Sequence, residues 1–202
     1  MLSVAILAGG LGTRLNPLTE KCPKSLTLIN GEPFLAYQLS LLKSNGVSQV
    51  VMCVGHFGEQ IAEYVKWNSF GLDITCSYDG PVALGTAGAV VKALPLLGSL
   101  FFTLYGDSYL DCDYAKVERV FLHQCFCKKG LMTAYQGVDY GFSAFRNDAF
   151  DGVTEGSLNK VHQHLLSCGE LAVLEMERPF QEIGSPAGIE KLSNVLHSTI
   201  LI

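Results

Sequence analysis

Residues 4–26 read VAILAGGLGTRLNPLTEKCPKSL. An apolar run breaks into glycines, and then into an arginine, a threonine and lysines. Ser3–Leu7 is predicted as a buried strand, and its glycine-rich exit is where a ligand sits if the strand belongs to an open α/β sheet, because such sheets bind beyond their carboxyl ends.

Working outward, short apolar runs alternate with amphipathic stretches. Pro33–Ser44 is predicted as a helix, with Pro33 in its first turn and Gly46 just past its end. Gln49–Val54 is a second strand, Glu59–Trp67 a second helix and Asp73–Tyr78 a strand nearer an edge. Thr86–Leu94 reads as a short helix stopped by Pro95. Leu131–Tyr135 and Phe101–Tyr105 are further strands, and Tyr114–Cys127 is helical by spacing. Beyond Tyr135 the pattern loosens, with strands at Gly141–Phe145 and Leu171–Glu175 and helices at Leu158–Leu166 and Pro186–Leu196. The fold class is α/β: a mostly parallel, doubly wound, Rossmann-like sheet with helices on both faces, in one domain spanning 1–202. Gly106-Asp107 and the stretch Gly80–Gly88 (GPVALGTAG) also follow strands, so three loops are expected at one sheet edge.

The composition narrows the function classes. Of 202 residues, 49% are hydrophobic and 16% charged, which excludes a disordered chain. A net charge of -5 argues against a nucleic-acid partner. It does not argue against small anions, which local loops hold. The seven cysteines form no CxxC pair and are read as reduced thiols of a cytoplasmic protein. No stretch approaches the ~18 apolar residues of a membrane span, so no membrane partner is expected.

The opening loop fits neither common phosphate motif. No lysine follows Gly10 or Gly12 at P-loop spacing, and a GxGxxG run started at Gly10 meets Leu15. What remains is Ala8-Gly9-Gly10-Leu11-Gly12-Thr13-Arg14, with Lys24 ten residues beyond Arg14. Glycines let backbone N–H groups approach an anion, Arg14 offers a forked donor and Lys24 a compact charge. An ordinary strand-to-helix turn with solvated cations is the alternative. Asp107 ends a buried strand at the carboxyl edge and suits Mg²⁺, which takes carboxylate plus substrate phosphates; a turn aspartate is its plainer reading. Asp111 is a second choice, reading better as a cap for the helix that follows.

GGLGTRLNPLTEKCPKSL resembles the signature of sugar-1-phosphate nucleotidyltransferases, of form GGxGTRLxPLTxxxPKxL. The resemblance continues through LGTAGAV at Leu84–Val90, LYGDSYLD at Leu104–Asp111, DYGFSAF at Asp139–Phe145 and FQEIGSPAG at Phe180–Gly188. It is nearest to the hexose- and heptose-1-phosphate branch, which often uses GTP. It implies that a sugar 1-phosphate attacks the α-phosphorus of a nucleoside triphosphate, giving an NDP-sugar and pyrophosphate, in activated-sugar biosynthesis for surface polysaccharide. Residues 1–130 are then the nucleotide-binding part and 131–190 the sugar-binding part.

Carried over, Arg14 holds the leaving pyrophosphate, while Lys24 binds the α-phosphate and the incoming phosphate. Asp107 and Glu182 hold Mg²⁺; Glu182 stands where the family has an aspartate. Ala8, Gly9, Gly10, Gly12, Thr13, Gly85, Thr86 and Gly88 form the nucleotide side, and the base stays open. Gly141 faces the sugar, and Asp139 either bonds a hydroxyl or shapes its turn. A phosphate monoester is already anionic at neutral pH, so no general base is required. His162 and His164 form an HxH pair, but residues two apart on a helix do not share a face, so they read as residues of a surface helix; His56 reads as a loop residue, and Cys125 and Cys127 as packing. Many relatives self-associate.

One departure stands out. Family members usually carry a few dozen residues between the strand ending near Gln136 and the one starting near Val138. Here LMTAYQGVDYGF runs straight through, which a tight Gln136-Gly137 turn permits. Two other readings stay open: a regulator that binds nucleotide or sugar phosphate without turnover, and a transferase with a non-sugar phosphate acceptor.

Overall fold

The computed structural model describes residues 1–200. The apolar runs form strands β1 (Ser3–Leu7), β2 (Gln49–Val54), β3 (Asp73–Tyr78), β4 (Leu100–Tyr105), β5 (Gly130–Tyr135), β6 (Val138–Arg146) and β7 (Leu171–Glu175). They make one seven-stranded sheet in the order β7-β5-β6-β4-β1-β2-β3. All neighbours are parallel except β6, which is antiparallel to both β4 and β5. The chain order reverses at β1, with β2 on one side and β4 on the other. That switch point opens a crevice outside the carboxyl ends.

Period-two burial on the central strands explains why helices cover both faces. Val4, Ile6, Val50, Met52, Phe102 and Leu104 point to one side. There they meet α1 (Phe34–Ser44), α2 (Gly58–Trp67) and the short α4 (Tyr114–Arg119), while α3 (Gly85–Ala93) lies on the opposite face. Ala5, Val51 and Cys53 point the other way, against Ala89 and Ala93 of α3. Small residues on both partners let α3 approach the sheet closely. Beside it α5 (Leu158–Ser167) packs Leu158, Val161 and Leu165 on Phe101 and Phe145. The last helix, α6 (Pro186–Ile200), forms a satellite cluster with Ile29, Phe34 and Ile183.

Two expectations change. The helix predicted over Tyr114–Cys127 ends at Arg119, and Val120–Gln124 continues as a wider π turn, closed by Cys125 N–H donating to the Val120 carbonyl at 3.1 Å. Its cap is Asp113, not Asp111: Asp113 Oδ1 accepts from Lys116 N at 2.8 Å. The Gln136-Gly137 link is a two-residue turn with φ of 52° and 76°, joining Tyr135 to Val138 across β5 and β6. Positive φ at both central residues is the type I′ pattern that matches strand twist.

Candidate active site

The glycine loop after β1, the Asp79–Thr86 stretch after β3 and Gly106-Asp107 after β4 line one cleft of about 760 Å³ at the switch point. The expected convergence of three loops is therefore met.

Gly9 is bare for steric reasons, whereas a Cβ on Gly10 would meet nothing. A Cβ on Gly9 would lie 3.1 Å from Asp79 Oδ2 and 3.3 Å from Gly55 N, so the loop can lie against the ends of β2 and β3 only without a side chain. Ala8, Gly9, Gly10 and Arg14 all line the cleft. Gly12 and Thr13 are not among its lining residues. Gly12 instead has φ +65°, opens the 3₁₀ turn Thr13–Leu15, and accepts from the Thr19 hydroxyl at 2.9 Å. A Cβ there would sit 3.3 Å from Lys24 Cβ. Gly12 thus seats the stem of Lys24, and Thr13 is exposed.

Lys24 returns to the cleft on a second 3₁₀ turn, Lys24–Leu26, entered through extended Pro23. Its Nζ donates to Asp107 Oδ2 at 2.5 Å, a contact between residues 83 apart in sequence. Both side chains are largely shielded, at 15% and 28% exposure, so the pair is more than a solvated surface contact.

The Asp107 turn is held from below. The buried Gln38 of α1 donates from Nε2 to the Tyr105 carbonyl at 3.0 Å and to the Ser108 carbonyl at 2.9 Å. Gly106 N donates to Leu7 O at 3.0 Å, and a Cβ on Gly106 would meet that oxygen at 2.7 Å. This glycine lets the Asp107 turn lie directly on the start of the first loop. Sequence reasoning missed Gln38; the signal was an amide set among Leu35, Leu39 and Leu42 on an apolar helix face.

Glu182 is brought to the same turn by a short ladder. Ser108–Tyr109 pairs antiparallel with Gln181–Glu182, and Ile183 N donates to Asp107 O at 2.9 Å. Asp107 and Glu182 therefore lie on neighbouring segments. One Glu182 oxygen already accepts from Gly184 N at 3.0 Å. Among the described residues no group of three or more His, Cys, Asp or Glu could hold a metal ion. Two carboxylates fit Mg²⁺, whose remaining ligands are waters and substrate phosphates, better than a metal needing an all-protein cage. Asp111 is exposed and borders a separate hollow beside Arg178, away from this turn.

At the far end of the cleft, Gly85 and Thr86 line the wall. Gly85 has φ +73°, and a Cβ would fall 2.4 Å from the Gly156 carbonyl. Thr86 Oγ1 accepts from Leu158 N at 2.7 Å, capping the start of α5. Gly88 is not a lining residue; it is bare so that α3 can pass the backbone of Thr154 and Glu155. Cys53 and His56 line the cleft as well. Burial pushes the Cys53 thiol up to about 12, so it stays protonated.

On the other side, β6 carries Asp139 and Gly141 to Tyr105, which also lines the cleft. Gly141 has φ +82° where the β5–β6 register shifts, and a Cβ would strike Tyr105 Cδ2 at 2.8 Å. Asp139 Oδ1 accepts from Gly141 N at 2.8 Å, and Oδ2 accepts from the Tyr105 hydroxyl at 3.3 Å. Asp139 thus shapes its turn and orients Tyr105; it is not itself a lining residue. The expectation of two surface histidines on α5 is corrected. His162 is buried, with Nε2 3.1 Å from Ser143 Oγ, Nδ1 3.8 Å from Asp139 Oδ2 and its ring stacked on Phe145. His164, two residues on, is exposed.

Several known proteins are similar to this chain. The model of the family described as nucleotidyl transferase matches residues 3–128. Over 117 residues the chain is 35% identical to a D-glycero-alpha-D-manno-heptose 1-phosphate guanylyltransferase of Campylobacter jejuni, covering 58% of this chain and 52% of that protein. Over 115 residues it is 35% identical to an N-acetylmuramate alpha-1-phosphate uridylyltransferase of Neisseria meningitidis, covering 56% and 50%. The matches thus span about half the length of these relatives. The crystal structure of HddC from Yersinia pseudotuberculosis complexed with GMP-PN superposes with a TM-score of 0.80 at 20% identity, covering 97% of this chain and 100% of that one, a likeness of fold.

Proposed function

The chain belongs to the nucleotidyl transferase family, whose model spans more than half of it, and we propose that it joins a nucleoside triphosphate, GTP by preference, to a hexose or heptose 1-phosphate with Mg²⁺. The observation that carries this reading is the Lys24–Asp107 contact at the rim of the glycine-lined cleft. It sets a cation and an anion beside a glycine loop, where triphosphate chemistry needs both.

The incoming sugar phosphate is a dianion near neutral pH, so the nucleophile needs no base. One of its oxygens bonds to the α-phosphorus as the bond from that phosphorus to the β-bridging oxygen breaks. Pyrophosphate leaves with that electron pair, and no proton is transferred. What the protein supplies is position and charge. Arg14 neutralises the β- and γ-phosphates. Lys24, drawn from Asp107 to the richer charge of the phosphates, holds the α-phosphate and the acceptor phosphate together. Asp107 and Glu182 are the residues that would hold Mg²⁺, which supplies charge neutralisation on the phosphate oxygens. Ala8, Gly9, Gly10, Gly85 and Thr86 bound the nucleoside. Gly12 and Thr13 shape the loop, and Gly88 the α3 packing.

Tyr105, oriented by Asp139, stands with Gly141 on the acceptor side, within residues 131–190 and the strand they pair with. We place the reaction in the cytoplasm, in activated-sugar synthesis for surface polysaccharide. The two-residue Gln136-Gly137 turn favours a second reading, a homologue that binds but does not turn over. One experiment separates the two: incubation with each nucleoside triphosphate, Mg²⁺ and a panel of sugar 1-phosphates, with product masses read by mass spectrometry. A new NDP-sugar mass supports the enzyme. Tight nucleotide binding with no product across the panel supports the binding homologue.

A further inference from the structure

Two side chains from different layers converge on one carboxylate oxygen. Asp139 Oδ2 accepts from the Tyr105 hydroxyl at 3.3 Å, and the same oxygen lies 3.8 Å from His162 Nδ1. Tyr105 lines the cleft, whereas His162 comes from α5 and is only 5% exposed. The imidazole Nε2 is engaged by Ser143 Oγ at 3.1 Å. Its Nδ1 is buried and has no hydrogen-bond partner among the described residues. A buried polar atom left without a partner is uncommon in a packed interior and calls for a reason.

A neutral ring accounts for the 3.8 Å gap. With its proton on Nε2 and donated to Ser143, the ring turns the Nδ1 lone pair toward a carboxylate that can only accept. Neither draws the other in, and Oδ2 is left to Tyr105. Burial favours this neutral form. A proton added at Nδ1 reverses the sign, because the cationic N–H then attracts Oδ2 more strongly than a neutral hydroxyl does. Oδ1 stays with Gly141 N at 2.8 Å, so the carboxylate pivots, and Oδ2 moves toward His162 only by leaving Tyr105. Other charges do not intervene. The apolar cluster under α5 supplies Phe101 of β4, Met132 of β5, Phe145 of β6 and Val90 of α3. On α5 itself Lys160 and His164 are exposed, and Asp139 is the charged group that acts on the ring. Tyr105 keeps its proton, since burial first and Asp139 second raise its ionisation above the ordinary value of 10.

Resting on the nucleotidyl-transfer reading, we propose that His162 is a positioning residue for the acceptor side of the cleft. Neutral, it leaves Asp139 to hold the Tyr105 hydroxyl at the wall; protonated, it takes Asp139 over and lets that hydroxyl go. His162 acts only through Asp139 and Tyr105.

The test reads both ends of this link by NMR, in protein carrying ¹⁵N-histidine and ¹³Cζ-tyrosine and with no ligand present. The two signals are identified by their loss in His162→Gln and Tyr105→Phe. Between about pH 7.5 and 5.5 the wild-type Tyr105 signal is expected to shift with the same midpoint as the His162 ring. In His162→Gln, neutral throughout, the Tyr105 signal stays flat. Asp139→Asn cuts the link from the other end, so the Tyr105 signal no longer follows His162 there. A Tyr105 signal that stays fixed while His162 titrates in the wild type, or that follows it unchanged in Asp139→Asn, overturns the proposal. Steady-state kinetics with GTP and mannose 1-phosphate read the consequence. On acidification the KM for mannose 1-phosphate is expected to rise about three- to tenfold more in the wild type than in His162→Gln, the size of one hydrogen bond. The KM for GTP changes alike in both. The acceptor's own second ionisation, near 6, bends both profiles equally. A merely structural role for His162 moves both KM values together and contradicts the proposal. Because the NMR reading needs no turnover, a protein that makes no NDP-sugar but keeps the linked shifts sinks the transferase reading and leaves the His162–Tyr105 link standing.

Discussion

Asp107 has two jobs that its surroundings keep separable. It pairs with Lys24, and its backbone carbonyl takes the Ile183 N–H that anchors the Glu182 segment. Asp107→Asn keeps the backbone bond and removes the charge. Pyrophosphate release is expected to fall roughly 100–1,000-fold, in the range seen when one preorganised charge-stabilising group is lost, while the melting temperature changes little. Arg14→Ala should lose turnover in the same way with the fold intact. Wild-type rates in either variant would remove these residues from the site. His162 is a different case, since it acts on stability. Burial holds its imidazole below the ordinary value of 6.5, against the opposing pull of Asp139. As pH falls below about 6.5 the unfolded chain takes up a proton that the folded one resists. The unfolded state then binds more protons, so stability is lost toward acid. Thermal melts between about pH 7.5 and 5.5 are expected to show a steeper decline in the wild type than in His162→Gln.

At the scale of elements, the site depends on contacts that seat loops on the sheet. Gln38 holds the carbonyls on either side of Gly106-Asp107. Replacing it by methionine, which fills similar volume without donors, leaves two carbonyls unpaired and is expected to cost roughly 1–3 kcal/mol, read from urea unfolding. Gly85→Ala adds a Cβ 2.4 Å from the Gly156 carbonyl at φ +73°, and about 1–3 kcal/mol of strain is expected there. These contacts also show what a sequence can disclose. The limits of β1, β2, β3 and β7 follow directly from where apolar runs meet polar residues. The reversed direction of β6 does not, because a buried strand carries the same residues whichever way it runs; only the two residues between Tyr135 and Val138 hinted at it. Among the site residues, Arg14, Lys24 and Asp107 were legible because strand-end loops converge by rule in an open sheet. Glu182 came only from resemblance, since a two-residue ladder leaves no periodic trace. His162 was misread because the two histidines were read together as one exposed pair; its place beside Val161 and Leu165 on the apolar face of α5 points inward. Gly88 shows the same ambiguity: a glycine bared for a ligand and one bared for a passing backbone look alike in a sequence.

Across the whole molecule, the two sides of the cleft are unequally furnished. The side we assign to the nucleotide is enclosed by loops from β1, β3 and β4. On the side we assign to the acceptor, Tyr105 lines the cleft and Gly141 packs against it, with β5 and β6 joined by the two-residue Gln136-Gly137 turn. An acceptor recognised mainly through its phosphate should be chosen loosely. Rates with epimeric hexose 1-phosphates are expected to differ less than about tenfold, the size of one weak contact, whereas changing the base should matter more. The central claim concerns which bond breaks, and isotopic labelling tests it most directly. With nucleoside triphosphate labelled at the α-phosphorus, the label is expected in the NDP-sugar; with label at the γ-phosphorus, it is expected in pyrophosphate. Label from the γ-position appearing on the sugar phosphate, or α-label remaining in the nucleotide throughout, would contradict the account.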